Sequence, residues 1–157
     1  MTDSLNELYR DIIMDHYRHP RGHKHLNEPT VTGEGKNPSC GDELELELKI
    51  NHDKKVEDLS ITCKGCAISV ASGSMLSEIV KGKSLAEVKK IAQVVKAMLK
   101  GENKPAIDDL DLGELAALQG VKDFPVRIKC ALLSWSTLVD SIESWEQKQG
   151  LKISSTE

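Results

Sequence analysis

Glu43-Leu44-Glu45-Leu46-Glu47-Leu48-Lys49-Ile50 alternates charged and aliphatic side chains without a break. A strand turns successive side chains to opposite faces, so Leu44, Leu46, Leu48 and Ile50 share one face. Glu43, Glu45, Glu47 and Lys49 share the other, which reads as a solvated strand face. One apolar and one charged face describe an antiparallel sheet with one side in water. Asn51-His52-Asp53-Lys54 supplies a turn, and Val56 to about Thr62 a second strand, paired as a hairpin or small sheet.

Upstream of this segment, Ser4 with Glu7 three residues later resembles a capping box. It opens a helix with Leu5, Leu8, Tyr9, Ile12 and Ile13 on one side. Pro20 stops that helix near Tyr17. From His19 to Pro38 the chain is polar and rich in Gly and Pro, and reads as a long loop. Downstream, helical spacing runs from Ala67 to about Val80. A second capping box, Ser84 with Glu87, opens a helix that continues to Gly101. A connector, Asn103 to Asp109, precedes a short helix from about Leu112 to Leu118 that stops at Gly120. Phe124-Pro125 then starts a last helix running to about Gln149. The expected fold is α+β, a small antiparallel β-sheet with helices packed on one side. A single domain is expected over 1–157. Its parts are an N-terminal helix at 1–19, a loop at 20–39, the hairpin or sheet at 40–66, and a helical part at 67–150. A tail follows at 151–157.

The chain has 157 residues and only five aromatic side chains, so Leu, Ile, Val, Ala and Met must fill the core. Stacking platforms for single-stranded nucleic acid are therefore not expected. The formal charge of −4 argues against a phosphate-backbone binder. No apolar run reaches the roughly 18 to 20 residues that cross a bilayer. Met1-Thr2-Asp3-Ser4 lacks the basic, apolar opening of a signal peptide, so a soluble cytoplasmic protein is expected.

The four cysteines are Cys40, Cys63, Cys66 and Cys130. A reducing compartment disfavours disulfides, which leaves metal binding, thiol chemistry or inert buried thiols. Cys40 lies in the turn-rich Asn37-Pro38-Ser39-Cys40-Gly41-Asp42. Cys66 leaves the second strand for a helix, and Cys130 stands about one turn inside the last helix. Such element ends can converge at one end of a sheet. Asp42 adds a hard oxygen, and Gly41 permits the backbone turn that aims it. Three thiolates and one carboxylate suit tetrahedral Zn²⁺, Fe²⁺ or an iron–sulfur cluster. Lys64, Arg127 and Lys129 are candidate cations to lower the thiol pKa values. Cys63-Lys64-Gly65-Cys66 has no second CxxC pair to make a zinc ribbon. Cys63 is read as a bystander ending the strand, with a redox pairing to Cys66 as the alternative. His19, His23 and His25 read as a solvated loop, His16 as a packed residue, and Ser69, Ser72, Ser74 and Ser77 as small residues for close helix packing. Met14, Met75 and Met98 are assigned to the core.

Four stretches together resemble the U-type iron–sulfur cluster assembly proteins, the SufU/IscU/NifU N-terminal family. They are Leu8-Tyr9 through Asp15-His16-Tyr17-Arg18-His19-Pro20, Asn37-Pro38-Ser39-Cys40-Gly41-Asp42, Gly65-Cys66-Ala67-Ile68-Ser69, and Phe124-Pro125-Val126-Arg127-Ile128-Lys129-Cys130. They span about residues 5 to 145. Lys129 stands where IscU-type proteins have a histidine, and Gly101 to Asp123 resembles an insertion typical of the SufU branch. Cys63 departs from the family pattern. The resemblance implies a SufE/NifU-like fold and a zinc-bound sulfur acceptor that takes persulfide sulfur from a pyridoxal-phosphate cysteine desulfurase of the SufS type. It implies Cys40 as acceptor, Cys40, Asp42, Cys66 and Cys130 as zinc ligands, and Arg127 at the desulfurase contact. A downstream cluster scaffold or apo-protein would receive the sulfur. Two other readings stay open: a scaffold on which an iron–sulfur cluster is built, and a structural zinc adaptor.

Overall fold

The structure, a computed structural model, describes residues 2–38, 41–101 and 113–148, with side chains of the first helix from Glu7 onward. Its elements are α1 (Thr2–Arg18), β1 (Val31–Asn37), β2 (Asp42–Ile50), β3 (Val56–Lys64), α2 (Ala67–Val80), α3 (Leu85–Leu99), a 3₁₀ helix η1 (Gly113–Asp123) and α4 (Pro125–Lys148). The three strands form one antiparallel sheet in the order β1-β2-β3.

The alternating segment is the central strand. Leu44, Leu46 and Leu48 are buried and sit opposite Cys63, Ile61 and Leu59 of β3, so both strands turn aliphatic rows to one face. Glu43, Glu45 and Lys49 are exposed on the other face. Glu47 departs from a wholly solvated row: it is half-buried and accepts the Leu26 backbone N–H at 3.1 Å. The helices α2 and α4 cover the aliphatic face, and α1, α3 and η1 pack against those two.

The loop expected over 20–39 contains a strand. Thr32-Gly33-Glu34-Gly35-Lys36 has no aliphatic alternation and two residues of poor strand propensity, so local sequence argues against it. The glycines answer to the helix above. A Cβ on Gly33 would lie 2.0 Å from Ser141 Oγ, and one on Gly35 would lie 2.1 Å from Thr137 Oγ1. Their absence lets α4 lie close on β1, and the strand closes the sheet on that side.

Two helix ends also differ from expectation. α1 begins at Thr2, so Ser4 lies within the helix rather than at its cap. The short helix extends through Gly120 to Asp123. Leu115, Leu118 and Val121 recur every third residue and are all buried, which matches three residues per turn. The Ser84–Glu87 capping box is present in full, with Ser84 Oγ accepting the Glu87 N–H at 3.2 Å. Met75 and Met98 are buried in the core, whereas Met14 is half-buried. Residues 102–112 of the expected insertion and the expected tail at 151–157 lie outside the described residues. Among the described residues, no helix is long and apolar enough to cross a membrane.

Candidate metal centre

The buried row of β2 does not end at Leu44. One strand step earlier, the same face carries Asp42, which is 1% exposed. A buried carboxylate needs donors, and here they come from the start of α2. Its Oδ1 accepts the Cys66 backbone N–H at 2.9 Å, and its Oδ2 accepts the Ser69 hydroxyl at 2.6 Å. Cys66 is the N-cap of α2, and Ser69 is the third residue of that helix. The free N–H groups and dipole of a helix start favour negative charge there.

Gly65 is what admits this carboxylate. A Cβ at that position would stand 2.0 Å from Asp42 Oδ1 and 3.0 Å from the Asp42 Cα. Gly41 holds a left-handed φ of 72°, and its N–H bonds to the Asn37 carbonyl at 2.9 Å, turning the chain from β1 into β2. The backbone freedom expected of Gly41 is therefore used.

The third element is α4. Cys130, fully buried in its second turn, lies 3.9 Å from the Asn37 side-chain nitrogen and 3.6 Å from the Val126 carbonyl. Asn37 pairs with Asp42 across the strands. One carboxylate oxygen of Asp42 and the sulfurs of Cys66 and Cys130 all lie within 4.8 Å of one another. Sequence separation of 88 residues between Asp42 and Cys130 is thus closed by the sheet end and two helix starts. Cys40 lies outside the described residues.

Charge around the thiols is uneven. Partial burial raises the Cys66 thiol, but the Ser69 backbone and hydroxyl and the neighbouring Cys130 outweigh it, and the net direction is down. The pull of the Ser69 N–H is electrostatic rather than a formed capping bond. Cys63 behaves oppositely. It faces Leu44 on the covered side of the sheet, and burial, followed by Asp42 and Cys66, pushes it up to about 12. Arg127 is exposed, and its hydrogen bond to Cys130, then the charge of Cys66, hold its guanidinium above the ordinary value. Lys64 and Lys129 are exposed as well, and of the three predicted cations Arg127 has contacts that reach the thiols.

These environments separate the cysteines of the CxxC segment. In metal-stripped protein at pH 8, iodoacetamide should alkylate Cys66 well before Cys63. A thiol titrating near 12 holds only roughly one thiolate in ten thousand at that pH. Peptide mapping checks this, and equal rates at the two positions would contradict it. Mild peroxide should likewise not pair Cys63 with Cys66 at the first stage of oxidation.

Ser69 and Asn37 belong to this centre and are not among the site residues expected from the sequence. Both lie in the stretches that carry the family resemblance, but small serines on a helix face read as packing residues. Ser72 does serve packing, donating to the Ala131 carbonyl at 2.6 Å across the α2–α4 contact. Ser69 has a different task, holding the carboxylate.

The donor set fits a four-coordinate metal: two sulfurs and an oxygen converge, with Asp42 and Cys66 fixed by backbone and hydroxyl bonds. A family profile described as NifU-like N terminal domain matches residues 8–150. The zinc-dependent sulfurtransferase SufU of Bacillus subtilis (strain 168) is 42% identical, over 91% of this chain and 95% of that protein. The iron–sulfur cluster assembly scaffold protein IscU of Streptococcus pyogenes serotype M1 is 38% identical, over 94% of this chain and 90% of that protein. The crystal structure of a SUF-system iron–sulfur cluster assembly scaffold candidate from Fervidobacterium islandicum AW-1 superposes with a TM-score of 0.77. It is 32% identical and covers 83% of this chain and 93% of that one.

Proposed function

The chain belongs to the family of NifU-like N-terminal domains, and from that premise we propose that it is a zinc-bound sulfur acceptor in iron–sulfur cluster assembly. Its donor is a cysteine desulfurase of the SufS type, and its product goes to a cluster scaffold or apo-protein in the cytoplasm. The observation that carries this reading is the convergence of Asp42, Cys66 and Cys130 at one sheet end. Cys40, two residues before Asp42, completes a set of four ligands. Zinc held by that set would keep the thiols deprotonated at neutral pH and add no redox chemistry of its own.

The chain's own residues divide the work. Asp42, anchored by Ser69 and the Cys66 N–H, fixes one donor in place. Arg127 supplies positive charge at the rim, where an anionic persulfide would approach. Cys40 is the nucleophile: its thiolate attacks the terminal sulfur of the donor persulfide. The donor's S–S bond breaks, the donor cysteine leaves as thiolate, and Cys40 keeps the transferred sulfur as its own persulfide.

Desulfurase turnover tests this directly. Wild type should accelerate it, and Cys40→Ala should return the rate to that of the desulfurase alone. Equal stimulation by the variant would remove Cys40 as acceptor. Loss of stimulation by a Cys40 variant that keeps its zinc and fold would also reject a purely structural zinc adaptor. The likeness to IscU scaffolds supports a second reading, cluster assembly on the same ligands. Anaerobic reconstitution with iron and sulfide decides it: a stable, transferable cluster at near-stoichiometric loading would favour the scaffold.

A further inference from the structure

A groove of about 510 Å³ runs between α1 and η1 and ends beside the metal centre. Ile13 and Met14 form one wall, Ala117 and Val121 the other, and Ile68 at the start of α2 lies between them. At the near end stand Phe124 and Arg127. Arg127 also bonds the thiols, so groove and centre share that residue. Phe124 is 62% exposed, and Val126, two residues on, is 57% exposed. A single exposed apolar side chain is ordinary, but Phe124 lines an apolar groove, which is the pattern of a binding surface. Among the described residues the groove is lined by two arginines, Arg10 and Arg127, and one acid, Asp123. That balance is opposite to the chain as a whole, with 25 acidic and 21 basic residues.

The η1 wall is pinned from behind. His16 of α1 is fully buried, with Nε2 2.8 Å from Glu114 Oε1 of η1 and Nδ1 2.7 Å from Ser74 Oγ of α2. Glu114 as a carboxylate only accepts, so Nε2 carries the proton and donates it. Ser74 Oγ already accepts the Arg21 backbone N–H at 2.8 Å, which leaves its hydroxyl hydrogen for Nδ1. Glu78 approaches the same Nε2 at 3.8 Å. One histidine and two carboxylates could hold a metal, and the Arg21 guanidinium, which is bonded to Asp15 at 2.8 Å, adds positive charge in the neighbourhood of Glu78 and Glu114. The His16–Glu114 and His16–Ser74 bonds act as a latch that ties α1 to η1 and α2.

We propose that this groove is the docking slot for the sulfur-donor protein. Its occupant is a donor segment presenting an apolar side chain flanked by carboxylates, the apolar group between α1 and η1 and the acids on Arg10 and Arg127. The inference rests on the sulfur-acceptor reading above and adds where the donor engages. His16 and Glu114 are positioning residues for the wall.

Sulfur transfer to the zinc-loaded full chain, measured with two donors, tests it. The desulfurase must dock, whereas glutathione persulfide needs no slot. For Arg10→Glu, KM for the desulfurase should rise about tenfold with kcat within twofold, and the glutathione persulfide rate should not change. Added salt should raise the wild-type KM and leave the variant's nearly flat. Glu114→Ala should raise KM in the same way and speed hydrogen exchange over 113–123. Glu114→Gln, which still accepts from His16, should restore both. Unchanged KM in Arg10→Glu and Glu114→Ala overturns the proposal, as does a parallel fall in the glutathione persulfide rate. A wild-type dimer that Arg10→Glu dissolves would make the groove a self-interface and overturn it too. If wild type takes sulfur from neither donor, the parent reading fails and the slot with it.

Discussion

Gly65→Ala should weaken zinc binding at the metal centre at least tenfold although it adds one methyl group at a residue that ligates nothing. The new Cβ would meet Asp42 Oδ1 at 2.0 Å and Cγ at 2.8 Å. The carboxylate has no easy escape, since it is buried and held by the Cys66 N–H and the Ser69 hydroxyl. Rotating it away would strand both donors and leave a buried charge poorly paired, and moving the backbone would separate β2 from the start of α2. Either response pulls an oxygen ligand off the sulfurs. Zinc affinity should fall at least tenfold in competition with a chelating dye, with a stability loss of about 1–3 kcal/mol from the unpaired groups. An unchanged affinity would show that Asp42 is not a ligand.

The second large effect is on stability. Trp135 of α4 is the largest fully buried side chain and is 1% exposed. Its indole nitrogen has no hydrogen-bond partner among the described residues, so the ring contributes through packing alone. Trp135→Ala should therefore destabilise by about 3–5 kcal/mol, the range for removing a buried aromatic. In a chain of this length that lowers Tm by about 10 °C. Trp135→Phe should cost much less, because it leaves a smaller void and breaks no hydrogen bond. A Phe variant as unstable as the Ala variant would contradict the packing account.

The two effects locate what could be read in the sequence. Strand β2 was legible because its pattern is local: period two leaves no other element that segregates leucine from glutamate. The same pattern, carried one step back from Leu44, puts Asp42 in the buried row. A carboxylate there announces a polar centre without any knowledge of the cysteines. Strand β1 was illegible because its cause is not local. Gly33 and Gly35 look like loop residues until Thr137 and Ser141, about a hundred positions away, are seen to occupy the space their side chains would need. The short helix expected to stop at Gly120 runs on as a 3₁₀ helix to Asp123, and the spacing of three between Leu115, Leu118 and Val121 is the signal in the sequence that its reading left unused. Among the thiols, Cys63 is read from the sequence as a bystander of Cys66, and burial likewise divides the two. Cys63 faces the packed side of the sheet and Cys66 opens a helix.

A sulfur acceptor is defined by the cysteine on which the sulfur lands. Zinc-loaded protein incubated with cysteine and a cysteine desulfurase, then analysed by mass spectrometry before and after peptide cleavage, reads this directly. The predicted result is a gain of one sulfur atom, on the peptide that carries Cys40, with Cys63, Cys66 and Cys130 unmodified. Sulfur on Cys66 or Cys130, or an unmodified chain while the desulfurase turns over faster in its presence, would contradict the sulfur-acceptor account.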